Sequence, residues 1–115
     1  VGAATAHTIA VPATTLDALA ADLNRIDLIK IDAEGAEEDI VAGMDGVIQR
    51  HKPNVLLEFN ARRSKDPVRF LASLHKDFVK ISALDFDAEL KPVTDKQLLD
   101  TSSGEDVLLY CEARR

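Results

Sequence analysis

The sequence predicts an α/β fold with a mostly parallel sheet, and two observations support this. Short apolar runs alternate with segments whose apolar residues recur at helical spacing. The patterns follow the order strand–helix–strand–helix–strand, which favours right-handed crossovers between parallel strands. Residues 1–115 are predicted to form a single domain, because domains have ~100–200 residues and the chain has 115.

Five segments are candidate strands. Leu28–Ile31 and Val55–Phe59 are apolar enough for burial on both faces. The other candidates are Phe78–Ile81, Val107–Cys111 and the less regular His7–Val11. We expect the last strand to return antiparallel beside Phe78–Ile81.

Helical patterns lie between these strands. Thr15 can cap a helix that runs to about Leu23, with Leu16, Leu19, Ala20 and Leu23 on one stripe. A longer helix is predicted over Gly35–Arg50, and a third begins at Asp66-Pro67. The region 85–106 is predicted as a loop with a short helical turn at Lys96–Leu99.

Composition excludes several classes of protein. The net charge of −6, from 14 Lys and Arg against 20 Asp and Glu, disfavours a nucleic-acid partner. The apolar runs are far shorter than the ~20 residues of a membrane helix. The chain has a single cysteine, Cys111, so no internal disulfide can form, and this favours the cytoplasm. Cys111 is predicted to be a small core residue.

Candidate functional residues cluster where two strands end. Asp32 and Glu34 follow the first buried strand, with Gly35 allowing a tight turn, and Glu58 and Asn60 end the next strand. Ligands of parallel α/β sheets bind beyond the carboxyl ends of the strands, and neighbouring strands lie ~4.8 Å apart. The two ends are therefore predicted to face one pocket.

The acidic residues also have a structural interpretation, because carboxylates stabilise the start of a helix. We assign Glu38 and Asp39 to stabilising the helix start. Glu34 and Glu37 stay open between that role and a role in the functional site. Asp32 is predicted to face a ligand, since a carboxylate at the end of a buried strand costs desolvation. No calcium-loop or paired-histidine spacing occurs, so no metal site is predicted.

A basic group follows the second strand end. Arg62, Arg63 and Lys65 form the cationic cluster of the sequence, which we interpret as a solvated loop or as a contact for an anionic substrate.

Two motifs resemble the FkbM family of S-adenosylmethionine-dependent methyltransferases. Thr15–Leu19 fits the pattern T-L-D-x-L, and Ile26–Glu37 fits I-D-x-[IL]-K-I-D-[VA]-E-G-x-E. The apolar–x–Gly step at Val41–Gly43 and the basic turn with Pro53 before the strand that ends at Glu58 agree with the same family.

This resemblance implies the second half of a seven-stranded, Rossmann-like methyltransferase sheet with an antiparallel terminal strand pair. The family's D-x-G-A-N-x-G cofactor loop has no counterpart in these 115 residues. The implied activity is methylation of an oxygen on a small molecule or glycan, with S-adenosylmethionine bound by the complete domain. The implied catalytic residues are Asp32, which also borders the cofactor, Glu34 and Glu37, and the substrate-binding residues are Glu58 and Asn60.

Two other functions stay open from the residues alone. Asp32 and Glu34 after a strand can serve a magnesium-dependent phosphotransferase or phosphatase. A non-catalytic α/β interaction module is the third possibility. We read the chain as a processed product or as a piece of a longer protein, and we expect it to self-associate through the edge of the Leu28–Ile31 strand.

Overall fold

The computed structural model describes residues 7–115, which form one five-stranded sheet and five helices. The strands are β1 (Leu28–Ile31), β2 (Asn54–Phe59), β3 (Phe78–Leu84), β4 (Leu90–Pro92) and β5 (Val107–Ala113). The helices are α1 (Leu16–Leu19), α2 (Glu37–Ala42), α3 (Asp45–His51), α4 (Pro67–Asp77) and α5 (Asp95–Leu99).

The sheet is mixed, and the prediction of a mostly parallel sheet is wrong. The strand order is β1-β2-β5-β3-β4, in which the β1–β2 pair is parallel and the other neighbouring pairs are antiparallel. The predicted crossovers do leave β1, β2 and β3 pointing the same way. The last strand then inserts antiparallel between β2 and β3 instead of adding to an edge, which removes a parallel pair. Its predicted antiparallel pairing with β3 is confirmed.

The first strand lies at an edge of this sheet, so its predicted burial on both faces is wrong. In β1 only Ile31 is buried, and Leu28 is 56% exposed. The predicted strand over His7–Val11 is also wrong, because these residues form no strand and are exposed. The segment has few strong strand formers and ends before Pro12. β1 therefore has one strand partner among the described residues.

The long helix predicted over Gly35–Arg50 is two helices, α2 and α3, separated at Gly43 and Met44. The N-terminus of α1 crosses at this break, where Asp17 N–H donates to the carbonyl of Gly43. The Asp17 carboxylate accepts from the N–H groups of Gly46 and Val47 at the start of α3. A side chain from another part of the chain thus replaces the helical bonds that would have continued α2.

The remaining helices follow their sequence signals with one change of length. Thr15 caps α1 as predicted, but α1 ends at Leu19, and Leu19 and Leu23 are exposed instead of lying on a buried stripe. α4 begins at Pro67 with Asp66 as its cap, as predicted. The predicted helical turn is α5, and the same region also contains the short strand β4, which was predicted as loop.

The hydrophobic core lies between one face of the sheet and helices α2 to α4. Its members from the two central strands are Val55, Leu57, Phe59, Leu109 and Cys111. The members from the helices include Val41, Met44, Val47, Ile48, Phe70, Leu71 and Leu74. This packing fixes the ends of β1 and β2 relative to each other and so positions the side chains that follow them.

Candidate functional site

Three carboxylates meet at the sheet edge where β1 and β2 end. Ile31 pairs with Leu57, so the next residues, Asp32 and Glu58, are neighbours across the two strands. One oxygen from each of Asp32, Glu34 and Glu58 lies within 4.8 Å of the others. The predicted meeting of the two strand ends is therefore observed, and we call these three residues the carboxylate cluster.

The turn after β1 directs Glu34 into the cluster through two residues with positive φ. Glu34 has φ +53° and Gly35 has φ +112°. The left-handed region is open to glycine, whereas an ordinary residue there costs roughly 1–2 kcal/mol. Surrounding contacts must compensate for that cost at Glu34.

Glu37 supplies two of these contacts from inside the turn. Its side chain is buried, and its two carboxylate oxygens accept hydrogen bonds from Ala33 N–H at 2.6 Å and Gly35 N–H at 2.9 Å. Both oxygens are thus occupied by the turn's own backbone. The geometry therefore gives Glu37 a structural task.

Desolvation and neighbouring acids both raise the pKa of Glu58. Desolvation is the largest cause that raises the pKa of Glu58, followed by its hydrogen bond with Asp32 and by the negative charges of Asp32, Asp106 and Glu34. A carboxylate with a raised pKa is a better proton acceptor near neutral pH than an ordinary one. The carboxylate cluster can therefore hold a proton.

Two further residues lie at this edge. Arg63 was predicted to belong to a solvated loop or to contact an anionic substrate, and Asp106 was not predicted as a site residue. The guanidinium of Arg63 lies 3.4 Å from Glu34 Oε2 and 3.2 Å from Asp106 Oδ1. Asp106 precedes β5, and since β5 is antiparallel, its first residues lie beside the last residues of β2. The last strand was predicted beside β3 alone, so no signal in the sequence places Asp106 at the end of β2.

Asn60 connects the same loops and uses its side chain to do so. Its amide nitrogen donates to Asp106 Oδ1 at 2.9 Å and to the carbonyl of Gly104 at 3.2 Å. Its oxygen accepts from Arg62 N–H at 3.0 Å. Both amide N–H groups are used in these bonds while the oxygen can accept one more, and the predicted binding role of Asn60 stays a prediction.

The first turn of α2 holds the loop that follows β2. Glu38 and Asp39 lie in that turn, as predicted for acids that stabilise a helix start. Glu38 also accepts a hydrogen bond from the Ser64 hydroxyl, and Lys65 Nζ lies 2.9 Å from Asp39 Oδ2. Two members of the predicted cationic cluster, Arg63 and Lys65, are therefore paired with acids of the chain itself.

The space beside the carboxylate cluster is an open rim. The cavity bordered by Gly35, Glu58 and Arg63 has a volume of about 10 Å³, room for roughly one water molecule. Asp32 and Glu34 are exposed and do not line this cavity, so most of the carboxylate cluster lies on an open surface. What they offer is carboxylate oxygens and one guanidinium on an accessible surface.

Cation binding is the other chemistry that this spacing allows, because carboxylate oxygens are the ligands that Mg²⁺ and Ca²⁺ prefer. Within residues 7–115, Asp32, Glu34 and Glu58 are the group that could hold a metal. Arg63 already brings a positive charge to Glu34.

One further expectation is met elsewhere in the fold. Cys111 is a buried core residue as predicted, and burial raises the pKa of its thiol to about 12, which leaves little reactive thiolate. Over residues 7–115 no helix is both long and apolar enough to cross a lipid bilayer.

Comparison with known proteins identifies the family of this chain. The model of the methyltransferase FkbM domain matches residues 2–89, which include β1, β2 and the whole carboxylate cluster. The chain therefore belongs to the FkbM methyltransferase family. Comparisons with curated proteins and with solved structures give no match.

Proposed function

We propose that this chain forms the acceptor side of an S-adenosylmethionine-dependent O-methyltransferase. The observation that carries the proposal is the meeting of Asp32, Glu34 and Glu58 at one sheet edge of an FkbM domain. The acceptor is a hydroxyl group of a small molecule or glycan. We place the protein in the cytoplasm, because Cys111 is free and no disulfide can form within the chain.

The cofactor side is assigned to residues outside these 115. The sequence holds no D-x-G-A-N-x-G loop. The chain thus represents the second half of the domain in this proposal, and its isolated form is not expected to be active.

The cluster's task is to position the acceptor hydroxyl and take up its proton. An alcohol oxygen attacks a methyl group well only when its proton leaves at or before the transfer. Asp32, the first residue after β1, contacts the reacting region. Glu58, which is hydrogen-bonded to Asp32, accepts the proton of the acceptor hydroxyl. Glu34 orients a second hydroxyl, and Arg63 and Glu37 hold Glu34 and its turn in place.

A methyl-transfer assay tests this function. The complete domain is incubated with S-adenosylmethionine carrying a labelled methyl group and with a panel of hydroxyl acceptors, and label is followed into the product. We expect transfer to at least one hydroxyl acceptor and thermal stabilisation of the complete domain by S-adenosylmethionine. Absence of both would instead support a non-catalytic module.

A magnesium-dependent phosphotransferase is the second candidate, and the spacing of the carboxylate cluster is the observation that favours it. Calorimetric titration with Mg²⁺ and Mn²⁺ separates the two functions. Heat of binding that disappears in Asp32→Asn but persists in Asp22→Asn, an exposed residue outside the cluster, would support the phosphotransferase. Absence of binding heat at millimolar metal would exclude the phosphotransferase and leave the methyltransferase as the proposed function.

A further inference from the structure

Asn60 and Asp106 lie opposite each other where β2 ends and β5 begins. Phe59 pairs with Val107, so the residue after Phe59 and the residue before Val107 are neighbours. The amide nitrogen of Asn60 donates to Asp106 Oδ1 at 2.9 Å. It also donates to the carbonyl of Gly104 at 3.2 Å, so Asn60 holds the start of β5 against the end of β2.

Asp106 in turn holds the guanidinium of Arg63. Arg63 Nη2 lies 3.2 Å from Asp106 Oδ1 and 3.3 Å from Asp106 Oδ2, so one nitrogen contacts both carboxylate oxygens. The aliphatic part of Arg63 lies over the turn after β1, where a β-carbon added to Gly35 would be 3.7 Å from Arg63 Cβ. The Arg63 side chain is therefore held at both its stem and its charged end.

Arg63 brings its other terminal nitrogen to Glu34. Nη1 lies 3.4 Å from Glu34 Oε2, and this is the one ion pair that Glu34 makes among the described residues. The Glu34 side chain is 78% exposed, whereas the side chains of Asp106 and Arg63 are 34% and 38% exposed. Glu34 is thus restrained from outside the carboxylate cluster, through an arginine that is itself better enclosed.

We propose that Asp106 and Asn60 are positioning residues for the methyl acceptor, which act by holding Arg63 where it orients Glu34. The inference rests on the proposed function, in which Glu34 orients a hydroxyl group of the acceptor. A freely rotating glutamate has to be ordered when the acceptor binds, and ordering one such side chain costs roughly two- to tenfold in affinity. The contacts from Asn60 through Asp106 to Arg63 supply that order before the acceptor arrives.

The affinity for the acceptor reports this role, whereas stability reports it poorly. Ion pairs at an exposed rim contribute little to the free energy of unfolding, so a variant of Asp106 is expected to stay folded. Glu34 contacts a hydroxyl group both before and during methyl transfer. Loss of its positioning should therefore raise KM for the acceptor and leave kcat nearly unchanged.

Nuclear magnetic resonance relaxation of the ¹³C-labelled 115-residue chain tests these contacts without any ligand. The γ-carbon of Glu34 reports how freely its side chain moves. We expect faster motion of that carbon in Asp106→Ala and in Arg63→Met, which keeps an unbranched stem over Gly35 but lacks the guanidinium. Glu105→Ala is the matched control, because Glu105 is an exposed acid next to Asp106 and should leave the motion of Glu34 unchanged.

Kinetics of the complete domain test the consequence for the acceptor, with the hydroxyl compound that takes up most label in the panel assay as the probe. Asp106→Ala is expected to raise KM for this compound about two- to tenfold and to change kcat less than about twofold. The same substitution in a Glu34→Ala domain should raise KM no further, since Asp106 acts through Glu34. Glu105→Ala should keep both constants.

Three results would overturn the proposal: unchanged motion of Glu34 in Asp106→Ala, an unchanged KM for the acceptor, or the same rise in KM with and without the Glu34 side chain. The proposed function fails separately. If the complete domain methylates a hydroxyl acceptor with the same KM in Asp106→Ala, only this inference falls. If the domain transfers no methyl group, the proposed function falls, and the motion of Glu34 still decides whether Asp106 holds it through Arg63.

Discussion

The carboxylate of Asp17 accepts a hydrogen bond of 2.8 Å from the backbone N–H of Val47, thirty residues further along the chain. A second bond of 2.9 Å comes from Gly46 N–H, and a β-carbon on Gly46 would lie 3.1 Å from the same carboxylate. The aspartate of the T-L-D motif thus caps α3 from outside the helix. The T-L-D motif, which carries part of the family resemblance, therefore has a structural role in the fold.

Asp17→Ala is expected to lower the free energy of unfolding by about 1–2 kcal/mol, because it removes the acceptor for two N–H groups at the start of α3. Urea denaturation followed by circular dichroism measures the change. Asp22→Ala, at an exposed position, should stay within about 0.5 kcal/mol of the unchanged chain. Equal effects of the two substitutions would show that Asp17 does not cap α3.

Glu37→Ala is expected to lower the free energy of unfolding by about 2–3 kcal/mol, since the buried carboxylate satisfies two N–H groups of the turn after β1. Glu105→Ala is the control, because Glu105 is exposed. Hydrogen exchange at Ala33 and Gly35 provides a local readout and should accelerate in the Glu37 variant. Unchanged exchange at both amides would contradict the structural task of Glu37.

Glu58 makes the free energy of unfolding depend on pH. Its pKa in the folded chain is raised above the ordinary value of 4.5, so the folded state binds the proton more tightly than the unfolded state. The contribution of Glu58 to stability is therefore most favourable below about 4.5 and declines as the pH rises through the folded-state pKa.

Glu58→Gln removes this dependence and tests its sign. The variant is expected to be more stable than the unchanged chain at pH 7, and the advantage should shrink as the pH approaches 4. Urea midpoints from pH 4 to pH 8 measure the difference. A variant that is less stable at pH 7 would show that Glu58 is held as a favourable anion.

Self-association of the chain is a further proposal, and it rests on the edge strand β1. The described residues leave one side of β1 unpaired, and Leu28 is 56% exposed there. An open strand edge with apolar side chains pairs readily with another chain, and a symmetric dimer is the expected form. Light scattering should report twice the 12.5 kDa of one chain at micromolar concentration.

Charged substitutions at the two edges test this pairing. Leu28→Lys should yield a monomer, whereas Leu90→Lys on β4, at the opposite edge, should leave the dimer intact. A mass of one chain for the unsubstituted protein up to high micromolar concentration would refute the proposal.

Local signals in the sequence predicted most elements but not how the strands are arranged. The bounds of β1 match the prediction, and Asp66-Pro67 starts α4 as its capping chemistry indicates. The insertion of β5 between β2 and β3 depends on which edge the last strand reaches, and no local pattern encodes that choice. The break between α2 and α3 depends on Asp17, which lies far away in sequence.

The sequence likewise predicted one part of the candidate site and missed another. The meeting of Asp32 and Glu58 follows from two parallel strand ends, which the apolar runs reveal. The pairing of Arg63 with Glu34 and Asp106 joins three loops, and loop contacts of this kind require the fold first. Glu37 was left open between a structural and a catalytic task because sequence position does not show whether a carboxylate points inward.

The turnover of Asp32→Asn in the complete domain tests the central claim most directly. Asparagine keeps the shape of the side chain and removes its charge, so binding of S-adenosylmethionine and the melting temperature should stay close to those of the unchanged domain. With labelled methyl transfer as the readout, we expect kcat to fall at least about tenfold, while Asp22→Asn retains full activity. Unchanged kcat in Asp32→Asn would contradict the claim that the carboxylate cluster acts on the acceptor.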